Sequence, residues 1–231
     1  MVSYWYLNDT GNKMIILVGG RKGGSGKSTI TVNLATALAN TNKDVMLVDA
    51  DVQLTSSEWH IEREEEQADK AKIHCVQKRG KIHETLKDLD QRYEYVLVDP
   101  AGKDSEELRS AMVVADILLI PVRPSQFDLN TLSAMHEIIE QSKLINPKLK
   151  VYCILSMSPT NPVINETALA QDYIADFSDI KLMKTIIRDR KIYRDCGAGG
   201  IGVIESESNS ESGRKAKVEM TELLEEVLNA D

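Results

Sequence analysis

Residues Lys22-Gly23-Gly24-Ser25-Gly26-Lys27-Ser28-Thr29 supply what phosphate binding needs: glycines for a tight loop with inward-pointing N–H groups, a lysine to reach the terminal phosphates, and a hydroxyl for Mg²⁺. The apolar run Met14-Ile15-Ile16-Leu17-Val18 precedes the loop and an apolar-periodic segment opens at Ser28, so strand, loop and helix N-terminus form an anion cradle. In this arrangement Lys27 reaches the β- and γ-phosphates and Ser28 coordinates the metal. The strict pattern G-x-x-x-x-G-K-[ST] is missed by one residue, because Arg21 stands at its first glycine, and the loop carries a second lysine, Lys22. Two further apolar runs end in acids. Val45-Met46-Leu47-Val48 leads into Asp49-Ala50-Asp51, and Tyr95-Val96-Leu97-Val98 leads into Asp99-Pro100-Ala101-Gly102. A parallel sheet buried on both faces delivers functional groups to its carboxyl edge in this way.

The form K-G-G-x-G-K-[ST] resembles the deviant Walker A loop of the ParA/MinD family of dimeric ATPases. The resemblance implies ATP and Mg²⁺ as cofactors, with Gly23, Gly24, Ser25, Gly26, Lys27, Ser28 and Thr29 around the phosphates. It also implies that Lys22 crosses a subunit interface to touch the nucleotide of the partner. A cation supplied in trans neutralises phosphate charge only when two loaded subunits meet, which makes ATP the glue of a homodimer. Residues 49–53 resemble the family's D-x-D-P-Q segment, with Val52 in place of the proline. Carried over, Asp51 orients the attacking water and Asp49 lies nearer the metal shell, while Asp99 matches the Walker B aspartate, giving Ser28, Asp49 and Asp99 as the metal set. Residues 116–125 look like the family's fifth strand and its proline-bearing loop. Residues 151–159 look like the sixth, with Ser156-Met157 where the family often has Asn-Arg for the adenine. Residues 187–195 and 202–205 resemble the segment after the last strand of small ParA proteins, so the likeness runs from about residue 14 to the end.

These groups need a scaffold. At 231 residues and 42% hydrophobic, the chain can bury one substantial α/β core, and no linker divides it. Strand-like runs alternate with helix-length segments over 27–40, 55–70, 81–92, 105–114, 129–145, 166–177, 188–196 and 214–229. The expected fold is therefore single-domain α/β: a mostly parallel twisted sheet with helices on both faces, a P-loop NTPase of the deviant Walker A type. Residues 14–231 form the expected ATPase domain and 1–13 an N-terminal extension, whose Tyr4-Trp5-Tyr6 cluster suits a loosely ordered tail or a partner contact. An extension of that length leaves no room for an N-terminal helix-turn-helix.

A net charge of −8 excludes a chain coated in positive potential, so DNA binding requires a local patch. One candidate is Arg188, Arg190, Lys191 and Arg194 with Arg214, Lys215 and Lys217, the region through which small ParA proteins bind DNA without sequence preference. Asp189 and Asp195 interleave with these bases. The last helix sets Met220, Leu223, Leu224, Val227 and Leu228 against Glu219, Glu222, Glu225 and Glu226, and anionic lipid repels such a face. No membrane attachment is expected, and the protein should be cytoplasmic and nucleoid-associated. Cys75, Cys153 and Cys196 are odd in number and widely spaced, as buried free thiols would be, and the four histidines lack metal-ligand spacing.

Three functions fit. The leading one is a ParA-type ATPase that segregates a plasmid or other low-copy DNA element, its ATP dimer binding non-specific DNA until a small basic centromere-binding protein triggers hydrolysis. The second is a positioning ATPase for a protein cargo. The third is an ATP-dependent metabolic ligase of related fold, against which a trans-acting Lys22 speaks.

Overall fold

The computed structural model describes residues 13–161 and 166–230, so the Tyr4-Trp5-Tyr6 cluster lies outside the described residues. The chain runs through β1 (Met14–Val18), α1 (Lys27–Ala39), β2 (Val45–Ala50), α2 (Thr55–Glu66), β3 (His74–Gln77) and α3 (His83–Arg92). It continues through β4 (Tyr95–Pro100), α4 (Glu106–Met112), β5 (Ile117–Val122), α5 (Gln126–Leu129), α6 (Thr131–Lys143) and β6 (Lys150–Ser158). It ends with α7 (Glu166–Ile174), β7 (Lys181–Arg188), α8 (Lys191–Ala198), a 3₁₀ turn at Val203–Glu205 and α9 (Glu211–Leu228).

The seven strands form one sheet in the order β3-β2-β4-β1-β5-β6-β7, every pairing parallel. β2, β4 and β5 are buried along their whole length, as central strands covered on both faces must be. Side chains alternate between two cores. Ile16, Val18 and Leu47 face the layer of α1, α2, α8 and α9, while Ile15, Leu17, Met46 and Val48 face that of α3, α4, α6 and α7. α1 is buried from Ile30 to Ala39, because it lies between the sheet and the helices outside it. The strand order reverses beside β1, and the crevice outside such a reversal is where an open α/β sheet binds ligands. Register pairs Asp49 of β2 with Asp99 of β4, so both acids reach the edge where β1 releases the phosphate loop.

Several boundaries depart from the sequence expectation. The helix expected over 129–145 is α6, running from Thr131 to Lys143, and a short, unexpected α5 precedes it, opened by the Ser125 hydroxyl accepting from Asp128 N. The one expected from 55 to 70 stops at Glu66, where the Gln67 side chain turns to donate to Gly199 O. Arg188, expected to open a helix, closes β7 instead; Asp189 N continues the ladder to Ser158 O at 2.8 Å, and α8 starts at Lys191. α9 begins earlier than expected because Ser210 caps it, accepting from Gly213 N at 3.0 Å. Among the described residues, no helix is long and apolar enough to cross a membrane.

Candidate functional site

Two glycines shape the loop. Gly24 and Gly26 have φ of 71° and 87°, the left-handed region that a side chain strains, and Gly26 caps α1 with no side chain to occupy its first N–H groups. Those donors, at the positive end of a 13-residue helix, suit an anion. Three carbonyls of the loop are held by side chains: Ser156 Oγ donates to Ser25 O at 2.7 Å, Arg123 donates to Gly24 O, and Lys27 Nζ donates to Lys22 O at 2.8 Å. Gly102 closes the cradle. A Cβ there would lie 2.7 Å from Lys27 Nζ and 2.8 Å from the Gly23 backbone, so only glycine fits. Burial lowers the pKa of Lys27, with the Asp99 and Asp51 carboxylates pulling it back up.

The acids divide the work. Asp49 is fully buried, and its two oxygens accept from Asp51 N at 3.0 Å and Ser57 N at 2.8 Å, tying its loop to the start of α2. Asp51 is half-buried and accepts from Gln53 N at 3.0 Å. Asp99 is buried; one oxygen accepts from Ser56 Oγ at 2.6 Å and the other has no hydrogen-bond partner among the described residues. Burial pushes the Asp99 carboxyl up to about 6 against the pull of Ser56, Ser28 and Lys27. An orphaned buried carboxylate oxygen beside the Ser28 hydroxyl is a hard-oxygen pair that fits Mg²⁺. Among the described residues, no cluster of three or more His, Cys, Asp or Glu side chains could hold a metal ion by itself.

Lys22 points away from the cradle, its ammonium 2.7 Å from Oδ2 of buried Asp128, which the Ser125 hydroxyl also contacts. Ser156 and Met157 both lie against the loop. Ser156 is buried and supports it from below, while Met157 adopts a left-handed φ of 50° within 4 Å of where a Gly26 Cβ would be. The sequence reading thus brings Gly23–Thr29, Asp49, Asp51, Asp99, Ser156 and Met157 to one edge. It misses Asp128, Arg123, Gly102 and Ser56. Only Asp128 had a local signal, since Ser125-x-x-Asp128 is a helix-capping spacing.

The basic residues fare differently. Arg190 is withdrawn from the surface into an ion pair with Glu219 at 2.6 Å, the two side chains 11% and 12% exposed, and Tyr193 Oη donates to the same carboxylate at 3.0 Å. Arg188 donates to Pro159 O, Arg214 to Asn209 O and Lys217 to Ser206 O. Lys191, Arg194 and Lys215 stay exposed, paired with Asp195, Asp189 and Glu211.

Residues 16–229 match the model of the CobQ/CobB/MinD/ParA nucleotide binding domain. The chain is 31% identical over 219 residues to the "Maintenance of carboxysome distribution protein A" of Halothiobacillus neapolitanus, covering 94% of this chain and 98% of that protein. To the "Protein ParA" of Rhizobium radiobacter it is 29% identical over 144 residues, covering 62% of this chain and 64% of that one. In fold it is similar to apo McdA of Cyanothece, with a TM-score of 0.75 at 18% identity over 94% of this chain and 100% of that one. A putative plasmid partition protein of Borrelia burgdorferi bound to AMPPNP gives a TM-score of 0.69 at 17% identity, over 93% of this chain and 100% of that one. A phosphate cradle at the central strand, flanking strands that end in acids, and a family match over nearly the whole chain agree: the chain belongs to the CobQ/CobB/MinD/ParA nucleotide-binding family.

Proposed function

We propose that the protein is an ATP-driven positioning switch, an ATPase whose homodimer forms around two nucleotides and moves a cargo through cycles of assembly and hydrolysis. The observation that carries this reading is the pair of lysines in one loop: Lys27 is buried inside the cradle, while the Lys22 ammonium lies at its rim, paired with Asp128. Lys27 gives up the Lys22 carbonyl to neutralise terminal phosphate charge. Lys22 leaves Asp128 to do the same across the dimer. Ser28 and the unpartnered oxygen of Asp99 would hold Mg²⁺, which would supply further charge neutralisation at the phosphates; Asp49, expected in the same metal set, has both oxygens engaged by Asp51 N and Ser57 N and orders the loop behind them. Asp51 orients a water for in-line attack. Thr29 completes the phosphate contacts and Met157 borders the base, while Ser156, expected beside it, is buried with its hydroxyl on Ser25 O and acts through the loop.

Two cargoes divide the relatives. A protein assembly is favoured by the carboxysome-distribution relative, whose likeness spans almost the full length of both chains. Plasmid DNA is the second reading, supported by the ParA relative over a shorter span. In either case a small basic partner of the ParB kind, or an adaptor in its place, stimulates hydrolysis, and non-specific DNA is the track.

The test is nucleotide titration with light scattering. Lys27→Ala should lose Mg-ATP binding. Lys22→Ala should keep binding within about threefold and stay monomeric with ATP, because its cation acts in the partner's site. A Lys22→Ala protein that dimerises normally with ATP would overturn the trans-lysine assignment.

A further inference from the structure

The loops after β2 and β3 meet at the carboxyl edge, and one residue joins them without belonging to the phosphate site. Arg79 follows β3, the edge strand beside β2. Its guanidinium donates to Asp49 O at 3.0 Å and to Asp51 O, and sits 3.9 Å from Asp49 Oδ1. The two carbonyls flank Ala50, so one planar fork spans the backbone on which both aspartates are mounted. Its own loop is braced on either side: Lys78 N donates to Asp49 O at 3.0 Å, and Gly80 N donates to Glu107 Oε1 of α4 at 2.8 Å.

The segment after Asp51 does little to fix itself. Val52 is 69% exposed, Gln53 is exposed, and the turn closes through Leu54 N to Asp51 O at 3.0 Å. Leu54 holds a left-handed φ of 57°, a conformation that costs a non-glycine residue of order 1 kcal/mol and persists only where surrounding contacts impose it. Asp51 accepts from Gln53 N inside that same strained turn. A carboxylate that must aim a water within a fraction of an ångström therefore rides on backbone that is tied at Asp49 to Ser57 N and Lys78 N, and that the Arg79 fork carries on to the Asp51 carbonyl.

We propose that Arg79 is a positioning residue for ATP hydrolysis: its guanidinium, donating to the carbonyls of Asp49 and Asp51, holds the Asp49–Asp51 backbone so that the Asp51 carboxylate stays aimed at the phosphate loop. This rests on the ATPase reading above. Arg79 touches no phosphate-loop residue, so it acts on the aim of Asp51 and leaves nucleotide affinity to the cradle. Lysine cannot replace it, since one ammonium cannot span two carbonyls with fixed geometry.

The experiment uses the full chain, with Arg79→Ala, Arg79→Lys, Asp51→Ala and Arg79→Ala/Asp51→Ala. Arg79 is about one-third exposed, so the variants should fold, and thermal melting checks this. Steady-state turnover should show kcat lowered about 10- to 100-fold in both Arg79 variants, with KM for ATP within about threefold. The double variant should be no slower than Asp51→Ala alone, because a residue acting only through Asp51 has nothing left to position. Amide exchange at residues 50–54 of the nucleotide-free protein should accelerate in Arg79→Ala. Unchanged kcat, full rescue by lysine, or losses that multiply in the double variant would each overturn the proposal. If the unmodified chain turns over no ATP even with a stimulating partner, the ATPase reading falls and the hydrolytic role with it, while the exchange data still decide whether the tether exists.

Discussion

At the residue scale, burial of Asp99 opposes its charge. Its carboxyl is fully buried and raised from 3.8 to about 6, so the native state takes up a proton that the unfolded chain has already released between those values. Native stability therefore falls as pH rises from about 4 to about 6 and stays reduced above that, by up to roughly 3 kcal/mol for a two-unit difference. Ser56 can donate equally well to an amide oxygen, so Asp99→Asn keeps that hydrogen bond and removes the buried charge. The nucleotide-free variant should be more stable than wild type at pH 7.5, by about 1–3 kcal/mol in urea unfolding, and its stability should lose this slope between pH 4 and 6. It should also lose Mg²⁺-dependent tightening of nucleotide binding. A variant no more stable at pH 7.5 would show that the carboxylate is not strained by burial. The same acid illustrates what the sequence makes legible. A carboxylate at the end of an apolar run can be read from composition and spacing, but the Ser56 partner lies on another element and appears only once α2 docks.

At the element scale, the strands of the core are readable because a parallel sheet covered on both faces needs unbroken apolar runs, and β1, β2, β4 and β5 have them. β7 lacks that signal. Lys181-Leu182-Met183-Lys184-Thr185-Ile186-Ile187-Arg188 alternates more and less buried positions as an edge strand does, and the strand runs on to Arg188, where the sequence reading starts a helix. What fixes this corner is non-local: Glu219 of α9 receives Arg190, Tyr193 and, at 3.3 Å, the Arg188 backbone N–H. Removing one side of a buried pair costs more than the pair contributes, because the other charge is left unpaired. Glu219→Ala should therefore lower unfolding free energy by about 3–5 kcal/mol, whereas Lys215→Ala, which breaks the exposed Lys215–Glu211 pair, should change it by less than about 1 kcal/mol. Urea unfolding of the two side by side checks this; equal effects would mean that α9 is held by its apolar face alone. Lys22 and Asp128 teach the same lesson: 106 residues separate them in sequence, so the lysine is legible and its partner is not.

At the scale of the whole molecule, the proposed DNA binding would be a contest between a small basic surface and a net charge of −8 that would double in a dimer. Arg190 is out of that contest, since freeing it would cost several kcal/mol. Lys191 and Arg194 are not. Their side chains are 79% and 63% exposed, and surface pairs such as theirs with Asp195 and Asp189 hold by at most about 1 kcal/mol, so a DNA phosphate can compete for either cation. A single subunit then neutralises few phosphates, and the repulsion of the remaining acidic surface weakens its grip further. In the proposed dimer, two subunits locked together by ATP would double the basic surface on one rigid body, so binding should require ATP and fall steeply with salt. Labelled random-sequence duplex should bind at least about tenfold more tightly with ATP than with ADP at roughly 50–100 mM salt. The double substitution Lys191→Ala/Arg194→Ala should flatten the log–log salt slope by about 0.9 for every phosphate it leaves without a cation. Residual ion pairing sets the order of these effects: Lys215→Ala should act in the same direction, and Arg190→Ala should act mainly through stability. Binding that is equal in ADP and ATP, or a slope untouched by the double substitution, would remove this surface as the DNA site. A positioning switch would then need a different track, and the partner that stimulates hydrolysis would have to bring the dimer to it.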